Sequence, residues 1–260
     1  MPFRPVQSEK LSAAVVKQIQ MLILRGILRP GERLPAEREL SERLGVSRPS
    51  LRDAVAELQE QGLLTSRAGS GIYVAEVLGS AFSPALIRLF SVHDEAVFDY
   101  IAFRRDLEGL AAARAARLGS DGDLAVIATI FERMQAAQPG RDAEAEAQLD
   151  AQFHMAIIEA SHNVVMLHMM RSMFDLLRQG VFYNRQVMFA QPARRQALLD
   201  QHRAINDALQ ARDAEAARAA VETHLDFVGA ALADQRRSER NEDIAQQRLE
   251  QETGRCSQTS

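Results

Sequence analysis

The chain has 260 residues, one cysteine, and a net charge of −4 from 31 Lys and Arg against 35 Asp and Glu. This charge excludes a protein that coats nucleic acid nonspecifically, and the lone Cys256 cannot form an internal disulfide. The sequence shows neither a run of 18 apolar residues nor a charged leader followed by an apolar stretch, so we expect a cytoplasmic protein without a membrane helix.

The first predicted element is an amphipathic helix that ends at Gly26. Its apolar residues recur at helical spacing: Val15, Ile19, Leu22 and Ile23. Residues 34–64 then predict two short helices joined by a tight turn. Pro35 is suited to the start of the first of these helices, and Gly45 can adopt the left-handed conformation that ends it.

The second of these helices has the features of a DNA-reading helix. Ser47 is a good N-cap, and the apolar residues return every three or four positions at Leu51, Val55 and Leu58. Arg48, Ser50 and Arg52 lie largely away from that apolar stripe. A helix with a buried stripe and a basic outward N-terminal end is what reading of the major groove requires.

A β-hairpin, or wing, is predicted after these helices. Residues 63–65 and 72–74 are strand-like, and the segment between them contains Arg67 and Gly69. Glycines let the backbone approach a phosphate or the minor groove, and Arg67 could enter that groove. Residues 8–75 therefore predict a complete winged helix-turn-helix, against the alternative of a small helical core without DNA contact.

The segment resembles the DNA-binding domain of the GntR family of bacterial transcription regulators. The resemblance is carried by Arg25-Gly26-x-Leu28-x-Pro30-Gly31-x-x-Leu34-Pro35-x-Glu37-Arg38 and Leu44-Gly45-Val46-Ser47-Arg48-x-x-Leu51-Arg52. It implies DNA contact by Arg38, Ser47, Arg48, Ser50 and Arg52, with Gly69 at the wing tip, whereas Arg43 lies outside this set. Residues 1–76 carry 11 Lys and Arg against 9 Asp and Glu, so the positive charge is local to this domain.

The rest of the chain predicts an all-α antiparallel helical bundle, so the fold class is mainly α. Residues 76–92 are interpreted as a linker, 93–235 as a helical effector-binding domain, and 236–260 as a frayed or disordered tail. Alanine-rich amphipathic segments occupy about 94–118, 121–137, 142–161, 163–189, 192–211 and 213–235.

Four residues of this bundle form a candidate metal site. Asp150 and His154 are four apart and share one helix face, while His202 and His224 lie at nearly the same level on the two following helices. Three imidazoles and one carboxylate suit Zn²⁺, Ni²⁺, Mn²⁺ or Fe²⁺, and the residues alone do not select one of these ions. Taken singly, each histidine fits an ordinary core or surface residue better than a metal ligand.

The bundle also resembles the effector (FCD) domain of the FadR branch of the GntR family. Its motifs are Asp150-x-x-Phe153-His154, Glu159-Ala160-Ser161-His162-Asn163, His202-x-x-Ile205 and His224-Leu225. The resemblance implies that the matching Asp and three His bind a metal ion. It also implies that Arg104, in an i, i+4 pair with Glu108, faces the ligand cavity, although the pair alone fits an ordinary surface ion pair. Asn184 and Arg185 are further candidates for the pocket wall.

These features together predict a regulator, expected to be a repressor, that binds operator DNA as a homodimer. Its expected effector is a small hydroxy- or keto-carboxylate bound at the metal, as in the lactate- and pyruvate-responsive regulators that the chain resembles. Two alternatives remain open from the residues. In one, the metal is itself the signal, and in the other the bundle is a metal-dependent hydrolase joined to a DNA-binding module. The sequence shows no separate nucleophile or general-base motif, which favours a protein that is not an enzyme.

Overall fold

A computed structural model describes residues 11–67, 70–75, 83–140, 142–178 and 192–258. This described chain divides into two compact units. The first contains the described residues up to 75 together with Leu167–Ser172, and the second contains the remainder from residue 83 onward. The fold is mainly α, as predicted.

The first unit is a winged helix-turn-helix. Its elements are α1 (Leu11–Leu24), α2 (Glu37–Leu44), α3 (Arg48–Glu60), β1 (Leu64–Arg67) and β2 (Gly71–Val74). The turn between α2 and α3 is short because Gly45 adopts a left-handed conformation, with φ of 65°, and ends α2. Ser47 then caps α3 by accepting a hydrogen bond from the backbone N–H of Ser50.

The core of this unit is apolar, and the predicted stripe of α3 is part of it. The buried side chains are Val15, Val16, Ile19, Ile23, Leu34, Leu51, Ala54, Val55, Leu58, Leu64 and Val74. Leu40 and Leu44 of α2 pack against this core while partly buried. Apolar packing therefore holds α3 in place and leaves its N-terminal end at the surface.

The wing is an antiparallel hairpin that is longer than predicted. Its register runs from Leu64 opposite Val74 to Arg67 opposite Gly71, so the strands extend into the segment we predicted as the turn. Arg67 lies with its guanidinium carbon 4.4 Å from the centre of the Tyr73 ring, a cation–π contact across the two strands. Such cross-strand contacts stabilise strand pairing as far as Arg67 and Gly71, although the glycine- and serine-rich sequence there predicted a turn.

The second unit is a helical bundle. Its helices are α4 (Pro84–Val92), α5 (Asp94–Leu118), α6 (Asp121–Ala137), α7 (Ala143–Ala160), α8 (Val164–Arg178), α9 (Pro192–Gln210) and α10 (Ala214–Gln258). The middle of α8, Leu167–Ser172, is the part that groups with the first unit. Helix α5 packs along α10 and α7, while α9 packs against α10 and α6. Four alanines of α5 are fully or almost fully buried, and their small side chains allow neighbouring helices to approach it closely: Ala111, Ala112, Ala115 and Ala116.

The structure differs from the sequence expectation at both ends of this unit. Helix α4 occupies part of the expected linker, because Ser83 caps it and Pro84 fits its first turn. Helix α10 continues to Gln258 through the segment that we expected to be frayed or disordered. Ile244 and Leu249 are exposed there, so the helix rests on the high helix propensity of Arg, Glu and Gln and not on burial.

The described helices include none with both the length and the apolar character needed to cross a membrane.

Leu58→Ala should destabilise the unit that presents α3. Leu58 is fully buried, so the truncation removes apolar contacts and leaves a cavity, and we expect the free energy of unfolding of this unit to fall by about 2–5 kcal/mol. Urea denaturation of the full chain measures the change. Ile27→Ala removes a branched side chain that is 61% exposed and serves as the control. Equal losses for both variants would contradict the assigned core.

Candidate functional site

The arginines of α2 and α3 that we predicted to contact DNA are exposed, and they differ in whether a carboxylate lies beside them. Arg38 lies 3.6 Å from Glu42, and Arg52 lies 3.0 Å from Glu37. Arg48 is exposed at the start of α3 and, within the described part of the chain, no carboxylate lies within ion-pair distance of it. Arg48 is therefore the recognition-helix arginine whose charge is least offset by a neighbour.

The remaining predicted DNA contacts divide into three groups. Ser47 and Ser50 lie at the N-terminus of α3, where their hydroxyl oxygens are 2.9 Å apart and Ser47 also caps the helix. Arg67 is exposed on the wing and stacks on Tyr73. Gly69 lies outside the described residues. The structure thus places polar groups along the exposed start of α3 and on β1.

In the bundle, the structure brings together all four predicted metal ligands. Asp150 and His154 lie on α7, His202 on α9 and His224 on α10, and all four side chains are buried. The atoms that they could offer to an ion all lie within 4.8 Å of one another. His202 Nε2 is 3.1 Å from Asp150 Oδ1, and the Nε2 atoms of His154 and His202 are 3.4 Å apart.

The composition and spacing of this cluster fit a divalent cation. Two ligands at about 2.1 Å from a tetrahedral ion are about 3.4 Å apart, which is close to the shorter separations measured here. Three neutral imidazoles and a carboxylate form a donor set that zinc and several transition metals accept. The centroids of the three imidazole rings are 4.5–5.4 Å apart, so all three histidines lie close enough to bind a single ion.

Oxygen atoms lie next to the outer nitrogen of two of these histidines. His154 Nδ1 has no well-aligned hydrogen bond, but Glu108 Oε2 lies only 2.6 Å from it. His224 Nδ1 lies 3.0 Å from the amide oxygen of Gln201. An oxygen that accepts from Nδ1–H leaves Nε2 as the nitrogen with a free lone pair for a metal.

Arg104 and Glu108 form a buried ion pair, so the interpretation as an ordinary surface pair is wrong. Their side chains are 1% and 2% exposed, and Arg104 Nε donates to Glu108 Oε1 at 2.5 Å. Burial by itself would raise the pKa of Glu108, but the charge of Arg104 and the contacts with Arg104 and His154 outweigh it and lower this pKa to about 2. Arg104 also lies over the Phe174 ring, with its guanidinium carbon 4.9 Å from the ring centre. Glu108 is therefore ionised and connects Arg104 with His154.

A small cavity of about 20 Å³, partly open to solvent, borders the cluster at His202. Its lining residues are Met134, Gln138, Glu146, Arg195, Leu199 and His202. Glu146 and Arg195 form another buried ion pair there, in which Arg195 Nε donates to Glu146 Oε2 at 2.8 Å. Asn184 and Arg185, predicted for the pocket wall, lie outside the described residues.

Sequence reasoning missed Glu146, Arg195 and Gln201, together with the contact between Glu108 and His154. A partial signal existed for Glu146, which precedes Asp150 by four residues and therefore continues the Asp150–His154 face of α7. Arg195 is 49 positions from Glu146 in the chain, so no local pattern joins them.

Comparisons with known proteins agree with both units. Residues 11–74 match the family described as bacterial regulatory proteins, gntR family, and residues 99–227 match the FCD domain. The chain is 37% identical over 227 residues to a protein of Escherichia coli K12 described as an L-lactate dehydrogenase operon regulatory protein, with 86% of each chain covered. It is 34% identical over 223 residues to the Glc operon transcriptional activator of the same organism, covering 85% of this chain and 88% of that one.

A solved structure supports the same assignment. The GntR protein of Streptococcus agalactiae shares 25% identity with this chain and superposes with a TM-score of 0.54, covering 85% of this chain and 99% of the other. The matched family and the named relatives are transcriptional regulators and not enzymes, so the hydrolase alternative is set aside. The chain belongs to the GntR family of bacterial regulatory proteins, in its FadR branch with an FCD domain, and is a DNA-binding transcriptional regulator.

Proposed function

We propose that this regulator is a repressor whose affinity for operator DNA falls when a small hydroxy- or keto-carboxylate binds beside a metal ion in the bundle. The observation that carries the proposal is the buried cluster of Asp150, His154, His202 and His224, whose possible ligand atoms lie within 4.8 Å of one another. Burying four polar side chains is unfavourable unless they find partners, and a divalent cation would satisfy all four at once.

Zinc is the ion that we favour, with Ni²⁺, Mn²⁺ and Fe²⁺ as the alternatives from the same donor chemistry. Bound there, the ion would act as a Lewis acid, and with a coordination number above four it would leave positions that an α-hydroxy or α-keto acid can occupy through two oxygens. The four ligands of this chain would hold the ion, and the apolar bundle around them would keep bulk water away.

Arg104 is the residue that we assign to the carboxylate of the acid. Its guanidinium is buried and belongs to the same contact network as His154, through Glu108. A carboxylate that reaches this guanidinium would accept charge-assisted hydrogen bonds, which are stronger than those between neutral groups. The relative named for an L-lactate dehydrogenase operon makes L-lactate the first acid to test, followed by pyruvate.

On the DNA side, we propose that Arg38, Ser47, Arg48, Ser50 and Arg52 contact the operator from α2 and α3, while Arg67 and Gly69 contact it from the wing. We further propose that the protein binds as a homodimer, so that two such surfaces meet two half-sites of the operator. Release requires that the acid bind the DNA-incompetent state more tightly than the competent one. A 100-fold difference in acid affinity between the two states is about 2.7 kcal/mol of coupling.

Arg48→Ala should weaken binding to the operator. An arginine that donates two hydrogen bonds to a guanine contributes about 1–3 kcal/mol, so we expect a loss of about 5- to 150-fold in affinity at fixed salt. The measurement is fluorescence anisotropy with a duplex that the wild-type protein selects from a random pool. Arg43→Ala is the matched control, because Arg43 is also exposed and pairs with Glu39 at 2.5 Å. An unchanged affinity of the Arg48 variant would remove this residue from the reading set.

His202→Ala should abolish tight metal binding. His202 Nε2 lies beside both Asp150 and His154 in the cluster. Losing a partner outside the metal's ligand set typically costs about 10- to 100-fold in metal affinity, so losing this ligand should weaken zinc binding by more than about 100-fold. Zinc content after dialysis and competition with a chelator measure the effect. His93→Ala, at an exposed histidine, is the control. If both variants bind zinc as tightly as wild type, the assigned site is wrong.

Arg104→Lys should separate acid binding from metal binding. The substitution keeps the positive charge beside Glu108 but removes the planar fork, so we expect L-lactate to bind the zinc-loaded protein at least about tenfold more weakly. Calorimetric titration gives this affinity, and zinc affinity should stay within about threefold of wild type. Arg105→Lys is the control, since Arg105 is partly exposed and pairs with Asp226 at 2.8 Å.

The metal-sensing alternative gives a different result in a DNA mobility-shift assay. A protein that responds to an acid should release DNA only when zinc and L-lactate or pyruvate are both present. Release by zinc alone, or by its removal with a chelator and without any acid, would identify the metal as the signal instead.

A further inference from the structure

Two side chains outside the proposed ligand set contact proposed histidine ligands at Nδ1. Glu108 Oε2 lies 2.6 Å from His154 Nδ1, and Gln201 Oε1 lies 3.0 Å from His224 Nδ1. The opposite nitrogen of His154, Nε2, is 3.7 Å from Asp150 Oδ1. The His154 ring therefore has Nδ1 beside a protein oxygen and Nε2 toward Asp150 and His202.

Glu108 differs from Gln201 because it has two partners. Its Oε1 accepts from Arg104 Nε at 2.5 Å, and its Oε2 lies 3.4 Å from Arg104 Nη2 as well as beside His154. The Glu108 and Arg104 side chains are almost completely buried, so bulk water does not hydrate the carboxylate. The same carboxylate thus joins the proposed acid-binding arginine to a proposed metal ligand.

We propose that Glu108 is a positioning residue that orients His154 for the metal and joins the metal site to Arg104. Resting on the proposed function, this inference adds a residue to it. Glu108 contacts neither the ion nor the acid, but it fixes which nitrogen of His154 is presented and where the guanidinium lies. Outer-sphere partners of metal-bound histidines commonly change metal affinity by about 10- to 100-fold when they are removed.

The role predicts a coupling between the two ligands. An acid that binds at Arg104 moves or stiffens the same carboxylate that holds His154, so it should change the affinity for zinc. By thermodynamic reciprocity, zinc must change the affinity for the acid by the same factor. A carboxylate that only stabilises the fold would leave the two affinities independent of each other.

The direct test is Glu108→Gln, which keeps the shape and one acceptor oxygen but removes the charge. We expect zinc affinity, measured by chelator competition, to fall about 10-fold or more. The acid-dependent change in zinc affinity, measured with and without L-lactate, should also be lost. Glu222→Gln is the matched control, because Glu222 is another glutamate paired with an arginine, Arg218, at 2.7 Å but is not in contact with the cluster. An equal loss in the control would overturn the proposal.

Glu108→Gln leaves Arg104 as a buried charge without its ion-pair partner, which can prevent folding. Two double variants remove that difficulty: Arg104→Met with Glu108→Gln, and Arg104→Met with Glu108→Met. Neither buries an unpaired charge at these positions, and they differ in whether an oxygen remains for His154 Nδ1. The variant with glutamine at position 108 should bind zinc several-fold more tightly than the variant with methionine there. Urea denaturation should show that both double variants are folded without metal.

The results separate this inference from the proposed function. Equal zinc affinity in the two double variants would show that the oxygen at position 108 does not position His154 and would overturn the inference. A wild-type protein that binds no zinc, nickel, manganese or iron in the same competition assay would overturn the proposed function instead.

Discussion

Burial of charged and polar side chains inside an alanine-rich bundle is the constraint on which the rest of the second unit depends. Arg104 and Glu108 are almost completely buried, and removing either one would leave an uncompensated charge. Buried alanines follow them along α5, and small side chains favour close packing of neighbouring helices: Ala111, Ala112, Ala115 and Ala116. Helix α5 packs against α7, and Glu108 of α5 lies beside His154 of α7.

The two units arrange their functional groups in opposite ways. The winged helix-turn-helix packs around an apolar core, beside which Ser41 is a buried polar residue, and carries Arg48 on its surface. The bundle carries Arg104 and the proposed metal ligands inside. Under the proposed function, loss of the metal should therefore disturb the packing of the bundle but not the apolar core that supports α3. This division would let the proposed DNA-contacting surface stay intact while the bundle changes its state.

The sequence predicted those features of the site that follow from local spacing. Asp150 and His154 share a helix face at i, i+4, and the short connection between α9 and α10 brings His202 and His224 to one level. The burial of Arg104 could not be predicted in this way, because an i, i+4 ion pair has the same spacing whether solvent or protein surrounds it. Alanine adds to the difficulty, since it fits both the buried and the exposed side of a helix and hides which side faces the core.

Under the proposed function, the shared carboxylate of Glu108 determines what kind of signal the regulator can read. If acid and metal each strengthen the binding of the other tenfold, the coupling is about 1.4 kcal/mol, and the doubly occupied state becomes populated at lower concentrations of both. The acid alone would then bind too weakly to shift the protein, while the metal alone would leave Arg104 paired only with protein groups. A network in which one buried carboxylate contacts both sites thus favours a response that requires the metal and the acid together.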